Sequence, residues 1–296
     1  CDPDRPPRHR RARRIGLACG TLTSGLTAGI LLGSLVATLI NRLYSPEALL
    51  DFAWRLPFLL GGVFGLLAVY LRRWLHETPV FAELQLRQAL AAELPLKTVL
   101  REHRSAIILS MLLTWLLSAG IVVVILMTPT YLQKVHGISP ADALTANSLA
   151  IVALTLGCIF YGRLIDSLGS GPTFVLGSLL LAGATYAFYH SLAAGMDQLV
   201  PLYMLAGFAV GIVGAVPYVM VNAFPPVVRF SGLSFSYNVA YAIFGGLTPM
   251  LVTLWMKNDV LAPSHYVVSL AGLGFVLGLW LWLRQRTRRQ VTPQTA

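Results

Sequence analysis

From Ser231, small and polar residues recur at Ser234, Asn238, Tyr241 and Gly245, at steps of 3, 4, 3 and 4, inside the otherwise apolar stretch VRFSGLSFSYNVAYAIFGGLTP (228–249). Those steps put them on one face of a helix, while Phe230, Leu233, Val239 and Ile243 populate the other faces. The chemistry on offer is hydrogen bonding without net charge. A polar stripe on an apolar helix must meet water, a ligand or another helix. Two readings follow: hydrogen bonds between helices, or one wall of a water-filled path for a small polar solute. Tyr218 and Asn222, beside Pro217 in the preceding apolar run, suggest a second such helix with a local kink. Trp115, in the middle of another run, either faces lipid or lines a cavity.

Chemistry that needs charge or metal has little to work with. No apolar run carries an Asp or Glu in its interior, and the six His (9, 76, 103, 136, 190, 265) fall near run ends or between runs. The three Cys (1, 19, 158) show neither a disulfide framework nor metal-ligand spacing. No metal, haem or other cofactor is expected.

The elements that position these residues are read from composition. Of the 296 residues 56% are hydrophobic and 11% charged, with a mean hydropathy of +0.70; a soluble domain carries about 25% charged residues. Apolar runs of about 20 residues can cross a bilayer as helices, and short alternating segments of a β-barrel are lacking. The fold class is an all-α polytopic membrane protein. Eight spans are expected, at 15–41, 54–71, 105–128, 147–165, 173–193, 199–223, 231–256 and 266–283. If the loops alternate sides, 18 of the 22 Lys and Arg fall on one side; only Arg42, Arg55, Lys134 and Lys257 fall on the other. Cytoplasmic segments collect Lys and Arg, so both termini should be cytoplasmic. The net charge of +10 sits at membrane edges rather than on one soluble face, which argues against a nucleic-acid partner.

Gly16 and Gly20, then Gly25, Gly29 and Gly33, fall at four-residue steps in the first span, and Gly207 with Gly211 and Gly274 with Gly278 repeat the device. Small residues at that spacing let helix backbones approach closely. Trp54, Tyr70, Trp74, Tyr131, Trp255 and Trp282 lie near expected span ends and read as interfacial anchors. Residues 1–14 read as a disordered basic arm, 72–104 as a cytoplasmic connector with short amphipathic helices, and 284–296 as a cytoplasmic tail.

Two stretches, FAWRLPFLLGGVFGLLAVYLRRWLHETPVF (52–81) and FPPVVRFSGLSFSYNVAYAIFGGLTP (224–249), resemble the metabolite:proton symporters of the major facilitator superfamily, which include carriers of α-ketoglutarate, citrate, shikimate and proline or betaine. A third, GRLIDSLGSGPTF (162–174), resembles the superfamily's cytoplasmic loop pattern G-x-L-x-D-R-x-G-R-R: Gly162, Leu164, Asp166 and Gly169 match, whereas Ser167, Ser170 and Gly171 stand in place of basic residues. The resemblance covers about residues 14–285. It implies twelve helices in two halves of six, with the eight spans as helices 5 to 12, residues 15–71 closing the first half and 105–283 forming the second. It also implies that the chain is incomplete at its N-terminal side. GLTAGILLGS lacks the Pro of the superfamily's antiporter pattern, and Asn222 stands where many relatives have an acid. Gly162, Arg163, Asp166 and Gly169, with Arg229 on the same side, become gating candidates. The resemblance implies that Asp166 packs against the start of the first span, near residues 13–20.

The function expected is secondary transport of a small carboxylate or zwitterion, with protons, across a bacterial-type inner membrane. The substrate-path candidates are Tyr218, Asn222, Ser234, Asn238, Tyr241 and Trp115. A non-transporting membrane receptor is the alternative; a membrane enzyme would need clusters of His, Asp or Glu at a membrane face, which are lacking.

Overall fold

The computed structural model describes residues 14–74, 95–196 and 198–291. The basic arm and most of the proposed connector therefore lie outside the described residues. Among those described there are helices and no strand, and eight of the helices are long and apolar enough to cross a membrane: α1 (Ile15–Leu43), α2 (Ala53–Arg72), α3 (Arg104–His136), α4 (Pro140–Leu168), α5 (Ser170–Ala193), α6 (Leu199–Ala223), α7 (Arg229–Trp255) and α8 (Ala262–Arg286). A short helix, Pro95–Glu102, precedes α3, and the last helix continues to Val291, so the expected tail begins as helix.

Local chemistry sets the ends. Ser139 caps α4, accepting from the Asp142 N–H at 3.1 Å while its hydroxyl donates to the Asp142 carboxylate, and Pro140 fills the first turn, where no N–H is needed. Gly137 (φ 65°) stops α3 in the left-handed conformation favoured by glycine. The third and fourth helices run further than their apolar cores, to His136 and from Pro140. Tyr131 is accordingly not an interfacial anchor. It is 4% exposed and packs edge-on against Tyr189, with ring centroids 5.3 Å apart.

Three spans leave the α-helical repeat away from their ends. α3 is a π-helix over Gly120–Met127, α7 over Tyr241–Gly245, and α6 is a 3-10 helix over Gly211–Ala215, just before Pro217. Such interruptions release backbone carbonyls that lipid cannot satisfy. In α3 side chains take them up: the Thr128 hydroxyl donates to the Val123 carbonyl (3.0 Å) and the Tyr203 hydroxyl to that of Val124 (2.8 Å).

One core runs through α3 to α8 and includes Leu113, Leu154, Tyr161, Phe174 and Phe188. Glycine makes its closest crossings. A Cβ at Gly211 would lie 2.5 Å from the Gly157 Cα, and one at Gly207 would press into the Ala150 carbonyl, so α6 lies backbone to backbone on α4. Gly278 meets Val175 and Phe174 of α5 in the same way.

α1 joins this core along α4. Gly16, Gly20, Ser24, Thr27 and Ser34 are its buried small residues, and its hydroxyls pair with those of α4: Thr27 with Thr155 and Ser34 with Ser148, each at 2.9 Å. Gly25, Gly29 and Gly33 do not share this face; a Cβ at any of them would meet open space. The physical reason is the five-residue step from Gly20 to Gly25, which turns the helix about 140° off the seam. α2 buries no residue between Leu56 and Arg72, and Phe58 and Leu66 are 73% and 75% exposed.

Candidate functional site

The start of α1 has orphan N–H groups, as every helix does, and no side-chain cap of its own. Asp166, in the last turn of α4, supplies the cap from another helix. Its two carboxylate oxygens accept from the Gly16 and Leu17 N–H groups, each at 2.8 Å. The Gly pair makes the approach possible: a Cβ at Gly162 would lie 2.7 Å from the Gly16 carbonyl oxygen and 2.9 Å from the Gly20 Cα. A carboxylate at the positive end of a helix dipole contributes roughly 0.3–1 kcal/mol when exposed and up to about 2 when partly buried. Arg163 stays exposed, and the carboxylate is satisfied by backbone instead. Gly169 (φ 88°) ends α4 just beyond, and Arg229 Nε donates to the Phe224 carbonyl at 3.2 Å, bracing the turn between α6 and α7.

The six path candidates do not form one site. Asn238 is exposed and Ser234 half-buried, and the Asn238 amide donates to the Ser234 carbonyl one turn back (2.8 Å). Tyr241 lines a cleft of about 550 Å³ together with Val122, Leu126, Met127 and Gly245. Tyr218 and Asn222 lie elsewhere, in a cavity of about 270 Å³ between the ends of α3, α5, α6 and α8; the Asn222 amide donates to the Tyr218 carbonyl (2.8 Å).

Trp115 neither faces lipid nor lines these cavities. Its indole N–H donates to the Tyr266 hydroxyl (2.9 Å), which pairs with the Thr248 hydroxyl (2.8 Å), and its ring stacks on Phe244 at 4.2 Å. It ties α3, α7 and α8 together. Trp115→Phe keeps the stack and loses the hydrogen bond; thermal unfolding in detergent should show a loss of about 1 kcal/mol, and no loss would mean the bond contributes nothing.

Sequence reasoning passed over Tyr237. It stacks on Tyr241 (centroids 5.5 Å) and faces α1 across a cleft of about 270 Å³ shared with Thr23, Thr27, Ile121 and Leu233. The available signal was the four-residue step from Leu233 to Tyr237 to Tyr241, a face adjacent to the stripe. Neither cleft along α7 is lined by a charged residue, and among the described residues no group of three His, Cys, Asp or Glu is placed to hold a metal.

A bundle of helices long and apolar enough to cross a membrane, closed along glycine-lined seams, is the architecture of a polytopic membrane protein. A family model described as Major Facilitator Superfamily matches residues 5–249, and the chain belongs to that superfamily. It is 28% identical over 287 residues to a protein named putative proline/betaine transporter from Staphylococcus aureus (strain COL), covering 94% of this chain and 59% of that protein. It is 28% identical over 261 residues to the inner membrane metabolite transport protein YhjE of Escherichia coli (85% of this chain, 58% of that one). To the ectoine/proline transporter ProP of Corynebacterium glutamicum it is 27% identical over 256 residues (81% and 50%). The chain thus spans between half and three fifths of the length of these relatives. The solved structure of the proton:xylose symporter XylE bound to 6-bromo-6-deoxy-D-glucose shares the fold, with a TM-score of 0.68 at 20% identity, covering 91% of this chain and 64% of that one. These relatives are named as transporters, and the reading as a membrane enzyme has no support among them.

Proposed function

We propose that α1–α8 supply helices 5 to 12 of a secondary carrier that moves a small zwitterion or carboxylate across a bacterial inner membrane by alternating access, with protons, both termini being cytoplasmic. The observation that carries this reading is the Asp166 cap on α1. It joins the loop that resembles the superfamily pattern to the helix of the other half through two hydrogen bonds at one end, which is what a contact made and broken in each cycle requires. The uncharged clefts beside Tyr237 and Tyr241 suit a solute without net charge, and relatives named for proline, betaine and ectoine point the same way. The coupling acid would lie in helices other than these, because none of the eight carries an Asp or Glu away from its ends.

Uptake of labelled betaine, proline and α-ketoglutarate should be measured in cells expressing the complete carrier, with and without a protonophore. Accumulation of a zwitterion that the protonophore abolishes is expected. Accumulation that survives the protonophore would remove proton coupling, and no uptake of any of the three would count against the substrate class.

A further inference from the structure

Tyr203 on α6 is fully buried, and its hydroxyl has one proton to give. Two acceptors stand within its reach: the Val124 carbonyl at 2.8 Å and the Asn147 amide oxygen at 2.5 Å. A single proton cannot serve both in full. The Val124 carbonyl needs it, because it lies in the π segment of α3 and Pro129, five residues on, has no N–H to return to it. The Asn147 oxygen needs it as well, since Asn147 is 5% exposed in α4 and a buried acceptor without a donor is costly.

What decides the competition lies on α1. The amide nitrogen of Asn147 donates to the Ser34 hydroxyl at 3.5 Å. The protons along that seam run one way. Ser148 donates to the Leu144 carbonyl (2.9 Å), so Ser34 donates to Ser148 (2.9 Å) and keeps its lone pairs for Asn147. With α1 in place, the amide is held with its nitrogen toward Ser34 and its oxygen toward Tyr203. Among the described residues no other side-chain hydrogen bond fixes that orientation. Without Ser34 the amide is free to turn over. Its nitrogen then donates to the Tyr203 oxygen, and the Tyr203 proton goes undivided to Val124.

We propose that Asn147 is a positioning residue whose amide turns over to couple the docking of α1 to the cleft wall on α3. The π segment it acts on supplies Val122, Leu126 and Met127 to the cleft beside Tyr241. Docking of α1 loosens the hold on the Val124 carbonyl, and its departure tightens that hold. A part for this coupling in a transport cycle rests on the carrier reading above; the turning of the amide does not.

The Val124 carbonyl can be watched alone, because Val124–Ile125 is the chain's only Val–Ile step. The purified chain in detergent, with carbon-13 at valine carbonyls and nitrogen-15 at isoleucine, gives one cross-peak that correlates the two nuclei. Its carbonyl shift moves downfield as the hydrogen bond to the oxygen strengthens. Tyr203→Phe should move it upfield, which sets the scale for complete loss of the bond. Ser34→Ala and Asn147→Leu should both move it downfield, since each removes the competing acceptor from Tyr203. The double variant should move it no further than Asn147→Leu alone. Thr27→Ala removes a hydroxyl of the same seam that pairs with Thr155 rather than Asn147, and should leave the peak in place. Should Asn147→Leu fail to fold, Ser34→Ala against Thr27→Ala decides alone. An unmoved or upfield carbonyl in Ser34→Ala, an equal movement in Thr27→Ala, or a further shift when Ser34→Ala is added to Asn147→Leu would overturn the proposal. None of these outcomes depends on transport, so a failed uptake experiment would leave them standing.

Discussion

Asp166→Asn is expected to uncouple the start of α1 from α4, at a loss of about 1–3 kcal/mol, the range for removing one partner of a charged, partly buried hydrogen bond. The carboxylate offers an oxygen to each of two N–H groups. Asparagine offers one oxygen, and its amide nitrogen is a donor that would point at a second donor. Hydrogen exchange at the Gly16 and Leu17 amides gives the direct readout: both should lose protection in Asp166→Asn, while amides deep in α4 keep theirs. A general electrostatic attraction between Asp166 and the basic residues before α1 would be abolished in the wild type by salt, because exposed charges are screened within about 8 Å at physiological ionic strength. A cap would not. Protection that survives 0.5 M salt in the wild type and is lost in the variant at any salt therefore identifies the cap; unchanged protection in Asp166→Asn would remove it. In the complete carrier, under the function proposed above, the same variant should shift the resting population toward the inward-open state.

That contact was anticipated through the resemblance of GRLIDSLGSGPTF to the superfamily's loop pattern, which implied that Asp166 packs against the start of the first span. The spans were equally legible, since a bilayer imposes one length and one composition. The stripe on α7 was read less well. Steps of 3 and 4 define a face only while the helix keeps 3.6 residues per turn, and α7 passes through a π segment at Tyr241–Gly245. Beyond Tyr241 the repeat changes, although Gly245 still sits beside the Tyr241 ring and lines the same cleft. Trp115 shows a different limit. Its partner Tyr266 is 151 residues away, and no local period announces such a pair. Tyr218 and Asn222 were placed with the α7 residues because both helices looked polar; the structure puts them in the cavity at the ends of α3, α5, α6 and α8.

The largest loss is expected from Gly162, where sequence and packing meet most tightly. A Cβ at this position would lie within 3 Å of the Gly16 carbonyl oxygen and the Gly20 Cα, both backbone atoms. Neither can swing aside as a long side chain would, so the helices must separate. Overpacking of this kind typically costs about 1–3 kcal/mol, and Gly162→Ala should fall in the upper part of that range. Gly162→Leu, with three further carbons to place, should drive α1 off α4, carrying with it the Asp166 cap and the Thr27–Thr155 and Ser34–Ser148 pairs. Gly29→Leu is the matched control, because a side chain there enters open space, and a good helix former in place of glycine favours the helix by up to about 1 kcal/mol. The seam can be read with a cysteine pair replacing Thr27 and Thr155, whose hydroxyls lie 2.9 Å apart, in a background free of other cysteines. Mild oxidation should join them in the parent and in Gly29→Leu, and fail in Gly162→Leu. Full cross-linking in Gly162→Leu would mean that α4 can yield at this crossing, and that the glycine there reflects no requirement for close approach.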